Sequence, residues 1–153
     1  LRRYRIHMER REKVMSGRVR AEISKSNPYW IPKHRLYELK HFCLQYPEWQ
    51  KAYNALLGIS GRAFSTDPIK KSIRFSSPTE RTGMLRAYYS RNMELVRTAA
   101  ERTDPTLSEY IFLGVTEGWS YDILKARFNM PCGKDTYYDA YRRFFWILSK
   151  ERD

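Results

Sequence analysis

The sequence predicts an all-α protein: a helical body, a C-terminal helix-turn-helix and a basic N-terminal arm. Three observations predict it. Apolar side chains recur at three- and four-residue spacing in several segments. Between those segments the breaks are Pro, Gly, Asn or Ser. No segment alternates apolar and polar residues, apart from a short piece near Ile73 to Phe75, and no solenoid repeat is visible. At 42% hydrophobic and 15% aromatic, with twelve Tyr and four Trp, the 153 residues are too apolar to stay disordered and suffice for one modest core.

Three regions follow along the chain: a basic arm over 1–27, a helical body over 28–104 and the helix-turn-helix over 105–153. In the arm, Val14, Met15, Val19 and Ile23 give a weak amphipathic pattern broken by Gly17, so helix, arm and partner-ordered segment all remain open. The stretch KSNPYWIP, with Pro28 and Pro32, has to be an extended or turn connection. From Lys33 to Tyr46, Leu36, Leu39, Phe42 and Cys43 mark one helical face that ends at Pro47. A second helix begins there with Trp49, Ala52, Tyr53 and Leu56 as its stripe and Gly58 as its stop. Residues 58–77 read as a loop. Ser77, Pro78 and Glu80 then give a cap, a first-turn proline and a capping-box acid, and Met84, Leu85, Tyr88, Tyr89, Leu95 and Val96 carry the longest helix to about Ala100. Asp104 and Pro105 repeat the start signal.

Charge is the strongest clue to partners. The net formal charge is +12 and the sequence pI about 9.9, which draws the chain to polyanions, nucleic acid foremost. The excess is uneven. Residues 1–25 carry nine Lys and Arg against three Asp and Glu, residues 26–104 thirteen against seven, and residues 105–153 seven against seven. No apolar run approaches the roughly 18–20 residues that span a bilayer, and the opening LRRYRIHMERRE holds no secretory signal. The expectation is a cytoplasmic protein with no membrane partner. Cys43 and Cys132 are too few for a disulfide framework or a thiolate metal site and read as reduced thiols.

Residues 107–148 divide into three helices at two breaks. Gly118 ends one helix and Ser120 caps the next; the run NMPCGKD, with Asn129, Pro131 and Gly133, forces a second turn. A short helix, a turn and a longer amphipathic helix is the arrangement that lays a reading helix in the major groove. In the last helix Tyr137, Tyr141, Phe144 or Phe145, and Leu148 should pack inward. Lys134, Thr136, Tyr138, Arg142 and Arg143 are the residues expected to face DNA: Lys and Arg suit phosphate or guanine, Thr a phosphate or base edge, Tyr a sugar or base. In the arm, Arg2, Arg3, Arg5, Arg10 and Arg11 are candidates for phosphate or minor-groove contact.

The segment GWSYDILKARFNMPCGKDTYYDAYRRFF resembles the G-L-S-Y-x-E-I-A … G-I-P-x-G-T pattern of sigma-factor region-four helix-turn-helices. The tail TYYDAYRRFFWIL is similar to that of RinA/ArpU-type phage transcriptional regulators. The shared points are Gly118, Ser120, Tyr121, Pro131 and Gly133, all in the last third of the chain. The family's small alanine aligns with Lys125 or with Ala126. The resemblance implies a small, prophage-encoded regulator that binds double-stranded DNA upstream of late or packaging operons, with RNA polymerase as a further partner.

Other chemistries find little support. His34 and His41 lie two helical turns apart and, with Cys43, read as packing or capping residues rather than as a metal site. Tyr29, Trp30, Phe42, Tyr46, Trp49 and Tyr53 could stack on single-stranded bases but read more naturally as core. There is no nucleophile-and-base pair, no paired carboxylates and no Gly-rich phosphate loop. The expectation is therefore a non-enzymatic, cofactor-free DNA-binding regulator, with homodimerisation through the long helix. Two rivals are a protein-interaction module, such as a phage-encoded inhibitor of a host nucleic-acid enzyme, and a ring-forming DNA-packaging subunit.

Overall fold

The computed structural model describes residues 25–59 and 77–153. Among them six α-helices form, α1 (Lys33–Leu44), α2 (Tyr46–Ile59), α3 (Pro78–Thr103), α4 (Ser108–Glu117), α5 (Tyr121–Phe128) and α6 (Lys134–Glu151), and no strand. The expected piece near Ile73 to Phe75 and the arm lie outside the described residues.

Local chemistry sets most of the boundaries. The Asn27 side chain accepts the Tyr29 N–H at 2.9 Å, a turn that delivers the chain to Pro32, whose carbonyl accepts the first bond of α1 from Leu36. Gln45 separates α1 from α2, its carbonyl accepting from both Glu48 and Trp49; the missing N–H of Pro47 then falls in a first turn, where no partner is needed. α2 continues through Gly58 to Ile59, one residue past the expected stop. At α3 the Ser77 hydroxyl accepts the Glu80 N–H at 3.1 Å, with Pro78 leading the helix. That helix runs to Thr103, beyond the expected Ala100. Asp104 and Pro105 behave differently from their reading as a helix start. The Asp104 carboxylate accepts the N–H groups of Thr106 and Leu107 at 2.8 and 3.3 Å, which builds a tight turn first, and α4 opens only at Ser108.

One hydrophobic core runs from Ile31 to Leu148, with α6 packed against α1, α3 and α4. Its inward set is Tyr137, Tyr141, Phe144, Phe145 and Leu148, all buried. Tyr141 and Phe144 meet Phe145 edge-on at 4.9 and 5.0 Å, the arrangement in which ring edges face ring faces. Phe42 and Trp49 pack in the same way at 4.7 Å, as do Tyr46 and Phe112 at 4.9 Å. The Arg97 guanidinium joins that second pair, 4.6 Å from the Phe112 ring centre and donating to the Tyr46 hydroxyl. His34 and His41 are exposed while Cys43 is buried, so the three do not converge. Burial pushes the Cys43 and Cys132 thiols up from their ordinary value, and both cysteines are free.

The outer part of α3 is different. None of residues 78–91 is buried, and burial begins only at Asn92. Met84, Leu85 and Tyr88 are exposed there, as is Leu57 near the end of α2. No helix among the described residues is long and apolar enough to cross a membrane.

The end of α6 is tied to α1 by Arg35. Its guanidinium donates to the Ser149 hydroxyl at 3.2 Å, the Ser149 carbonyl at 3.1 Å, the Asp153 carboxylate at 2.6 Å and Glu38 at 2.9 Å. The Ser149 carbonyl is one of the last-turn acceptors that a helix leaves without an internal donor. Arg152 completes the corner, 2.5 Å from Glu38 and with its guanidinium 4.0 Å from the Phe42 ring centre. Hydrogen bonds from Arg35, and then from Arg152, hold the Glu38 carboxyl below its ordinary value of 4.5. A depressed carboxyl pKa adds stability above the unfolded-state value and loses it as pH falls through the folded one. Glu38→Gln is therefore expected to lower the thermal midpoint at pH 7 by about 1–2 °C, since the group is exposed and screened. The gap should close as pH drops below 4.5, and thermal melts at pH 7 and near pH 3 check both halves.

Candidate nucleic-acid interface

Two left-handed residues shape the last third of the chain. Gly118, at φ 68°, ends α4, and Asn129, at φ 49°, ends α5. A side chain beyond Cβ rarely adopts this conformation, and Asn is the residue that most readily does. Between them the Ser120 hydroxyl accepts the Ile123 N–H at 3.4 Å and caps α5. Leu124 and Met130 on either side of Asn129 are fully buried. Two side chains of α5 then fasten the turn to α6: the Lys125 ammonium donates to the Met130 carbonyl at 2.7 Å and the Tyr121 hydroxyl to the Cys132 carbonyl at 2.9 Å. Trp119 stacks on Phe128 with ring centres 5.5 Å apart, and Arg127 lies 5.7 Å from the Trp119 ring centre.

α4 and α6 meet closely at Gly114 of α4. A Cβ there would overlap the hydroxyl of the buried Tyr137 of α6. The small residue thus sits on α4 and not on α5, where Ala126 is exposed and Lys125 lies over the turn. Sequence reasoning passed over both Gly114 and the Trp119–Phe128 stack. A glycine inside an otherwise apolar helix was the available signal for the first; the second needs the turn geometry to bring the rings together.

The residues expected to face DNA divide into two groups. Lys134, Thr136 and Arg143 are exposed. Lys134 stands at the start of α6 with its ammonium 4.0 Å from the Asp122 carboxylate. Tyr138 is half-buried, its ring 5.2 Å from Tyr137 and 5.9 Å from Tyr141. Arg142 is half-buried too. It donates to Asp139 at 2.7 Å, lines a small cleft with Tyr29, Ile31 and Leu36, and buries its Nε without a hydrogen-bond partner. These two side chains lie on the flank of α6, beside the core and, for Arg142, against the connection that enters α1. The outer edge of α6 instead adds Asp135 and Asp139, both exposed. Arg2, Arg3, Arg5, Arg10 and Arg11 lie outside the described residues. Among the described residues no group of three or more metal-ligating side chains comes together.

The Gly114–Tyr137 contact sets how far α6 can approach α4, so it is testable apart from any ligand. Gly114→Ala is expected to destabilise the fold by about 1–3 kcal/mol through overpacking. In a Tyr137→Phe background the same change should cost clearly less, because the overlapping oxygen is gone. Equal costs in both backgrounds, measured by urea denaturation, would show that the contact does not govern the approach.

No family model, curated protein or solved structure matches the chain, which leaves its own residues as the ground for a functional reading.

Proposed function

We propose that the protein is a sequence-specific regulator of transcription that binds double-stranded DNA, with α5, the turn and α6 acting as a helix-turn-helix. The observation that carries this reading is the turn at 129–133. It is fixed by Asn129, Lys125 and Tyr121, and it presents a long helix whose inner face is locked in the core while Lys134, Thr136 and Arg143 stay exposed. A reading helix needs both properties, rigid support behind and donors in front. The points shared with sigma-factor region four and with RinA/ArpU-type regulators lie in the same segment and support the same reading, including RNA polymerase as a partner.

The acids on α6 give the interface its character. Asp135 and Asp139 repel phosphates, yet a carboxylate in the major groove accepts from the N4 amine of cytosine. Such an edge binds arbitrary DNA weakly and discriminates between sequences, while the arginines of the arm supply the phosphate contacts. The same acids favour the second reading, a protein partner with a basic surface, which would bind α6 without preferring any duplex sequence.

Selection from random duplexes at moderate salt separates the two. The wild-type protein is expected to enrich one motif. Lys134→Ala/Arg143→Ala, two exposed positions whose loss leaves the core intact, should weaken binding to that motif by about tenfold to a hundredfold. No enrichment, or a variant that binds as well as wild type, would overturn DNA reading by α6.

A further inference from the structure

The outer part of α3 holds a surface that the DNA reading leaves unused. Residues 78–91 make about four helical turns without one buried side chain. α2 packs against α3, and Thr82, Arg86 and Tyr89, spaced by four and three residues, are half-buried on one side, which leaves the other side open. Along the outward side, Glu80, Met84, Ala87 and Arg91 follow one another at steps of four, three and four residues, with Tyr88 four beyond Met84, which aligns them in one stripe. All five are exposed, Met84 at 64% and Tyr88 at 56%. Large apolar side chains left this open in one patch mark a contact surface.

We propose that this stripe joins two copies of the chain, their α3 helices lying antiparallel. The order of chemistry along it is acid, apolar, apolar, apolar, base. An antiparallel two-fold centred between Leu85 and Arg86 sets Glu80 against Arg91 of the partner subunit, and Met84 against Ala87 of the partner subunit, each pair occurring twice by symmetry. Parallel alignment would instead oppose acid with acid and base with base, so the charges select the direction. A nucleic-acid strand would meet the Glu80 carboxylate at one end of the stripe. A second copy sets an opposite charge against each end. The small Ala87 side chain opposite Met84 lets the helices come close. None of the five residues belongs to the edge of α6, and the surface stands whether or not α6 reads DNA.

Sedimentation equilibrium of the full chain at low ionic strength, without DNA, tests the proposal. Wild type is expected to be a dimer in the micromolar range. Arg91→Glu, which opposes Glu80 with a like charge, should weaken dimerisation by about tenfold or more, with helix content by circular dichroism unchanged. The swapped variant Glu80→Arg/Arg91→Glu should return the dissociation constant to near the wild-type value. A monomeric wild type, a dimer indifferent to Arg91→Glu, or a swap that fails to restore it would each overturn the proposal. The swap also removes the first-turn acid of α3, so helix content is measured on it as well; a merely structural role for Arg91 would not produce the rescue.

Discussion

The structure depends on the inner face of α6. Five large side chains, four of them aromatic, close the space between α1, α3 and α4, and burying each contributes roughly 2 kcal/mol. That face also limits function. A helix committed to packing over its whole length has only its outer edge to offer a ligand, and in the proposed reading that edge is Lys134, Thr136, Arg143 and the two aspartates.

The supports around α6 act at its two ends. At the front, Asn129 reverses the chain and α5 fastens the turn through Lys125 and Tyr121, so the first turn of α6 has a defined origin. At the back, Arg35 holds Ser149 and Asp153. Gly114 sets the spacing to α4 between these ends. The result is a rod fixed in position, tilt and depth by polar contacts whose individual energies are modest, while the aromatic face supplies most of the stabilisation.

Much of this was legible in the sequence. The cap at Ser77, the breaks at Gly118 and Asn129 and the inward set of α6 follow from local rules that tertiary packing had no reason to override. Elsewhere local rules leave two outcomes open. Asp104 followed by Pro105 has the composition of a helix start, but an aspartate caps a turn with the same oxygen, and here the turn forms first. Tyr138 and Arg142 show the other limit. Helical periodicity gives the angle of a side chain and not its neighbours. The connection at 29–31 returns beside Arg142, with Tyr29 edge-on to Trp146 at 5.5 Å, a contact between residues more than a hundred positions apart that no local pattern encodes. The charge excess of the arm was plain to read, but charge alone does not fix geometry.

The division of α6 into an inner and an outer edge also bears on how such a protein changes over generations. Tyr137, Tyr141, Phe144, Phe145 and Leu148 are constrained by close packing, where even one methylene is felt. Thr136, Asp139 and Arg143 have no packing duty, and exposed substitutions of that kind usually shift stability by less than about 0.5 kcal/mol. Replacement can therefore accumulate on the outer edge while the core sequence stands still. In the proposed reading, descendants of one ancestor would share a fold and an aromatic signature yet recognise different targets, and the rate of divergence along α6 would alternate with the turn of the helix.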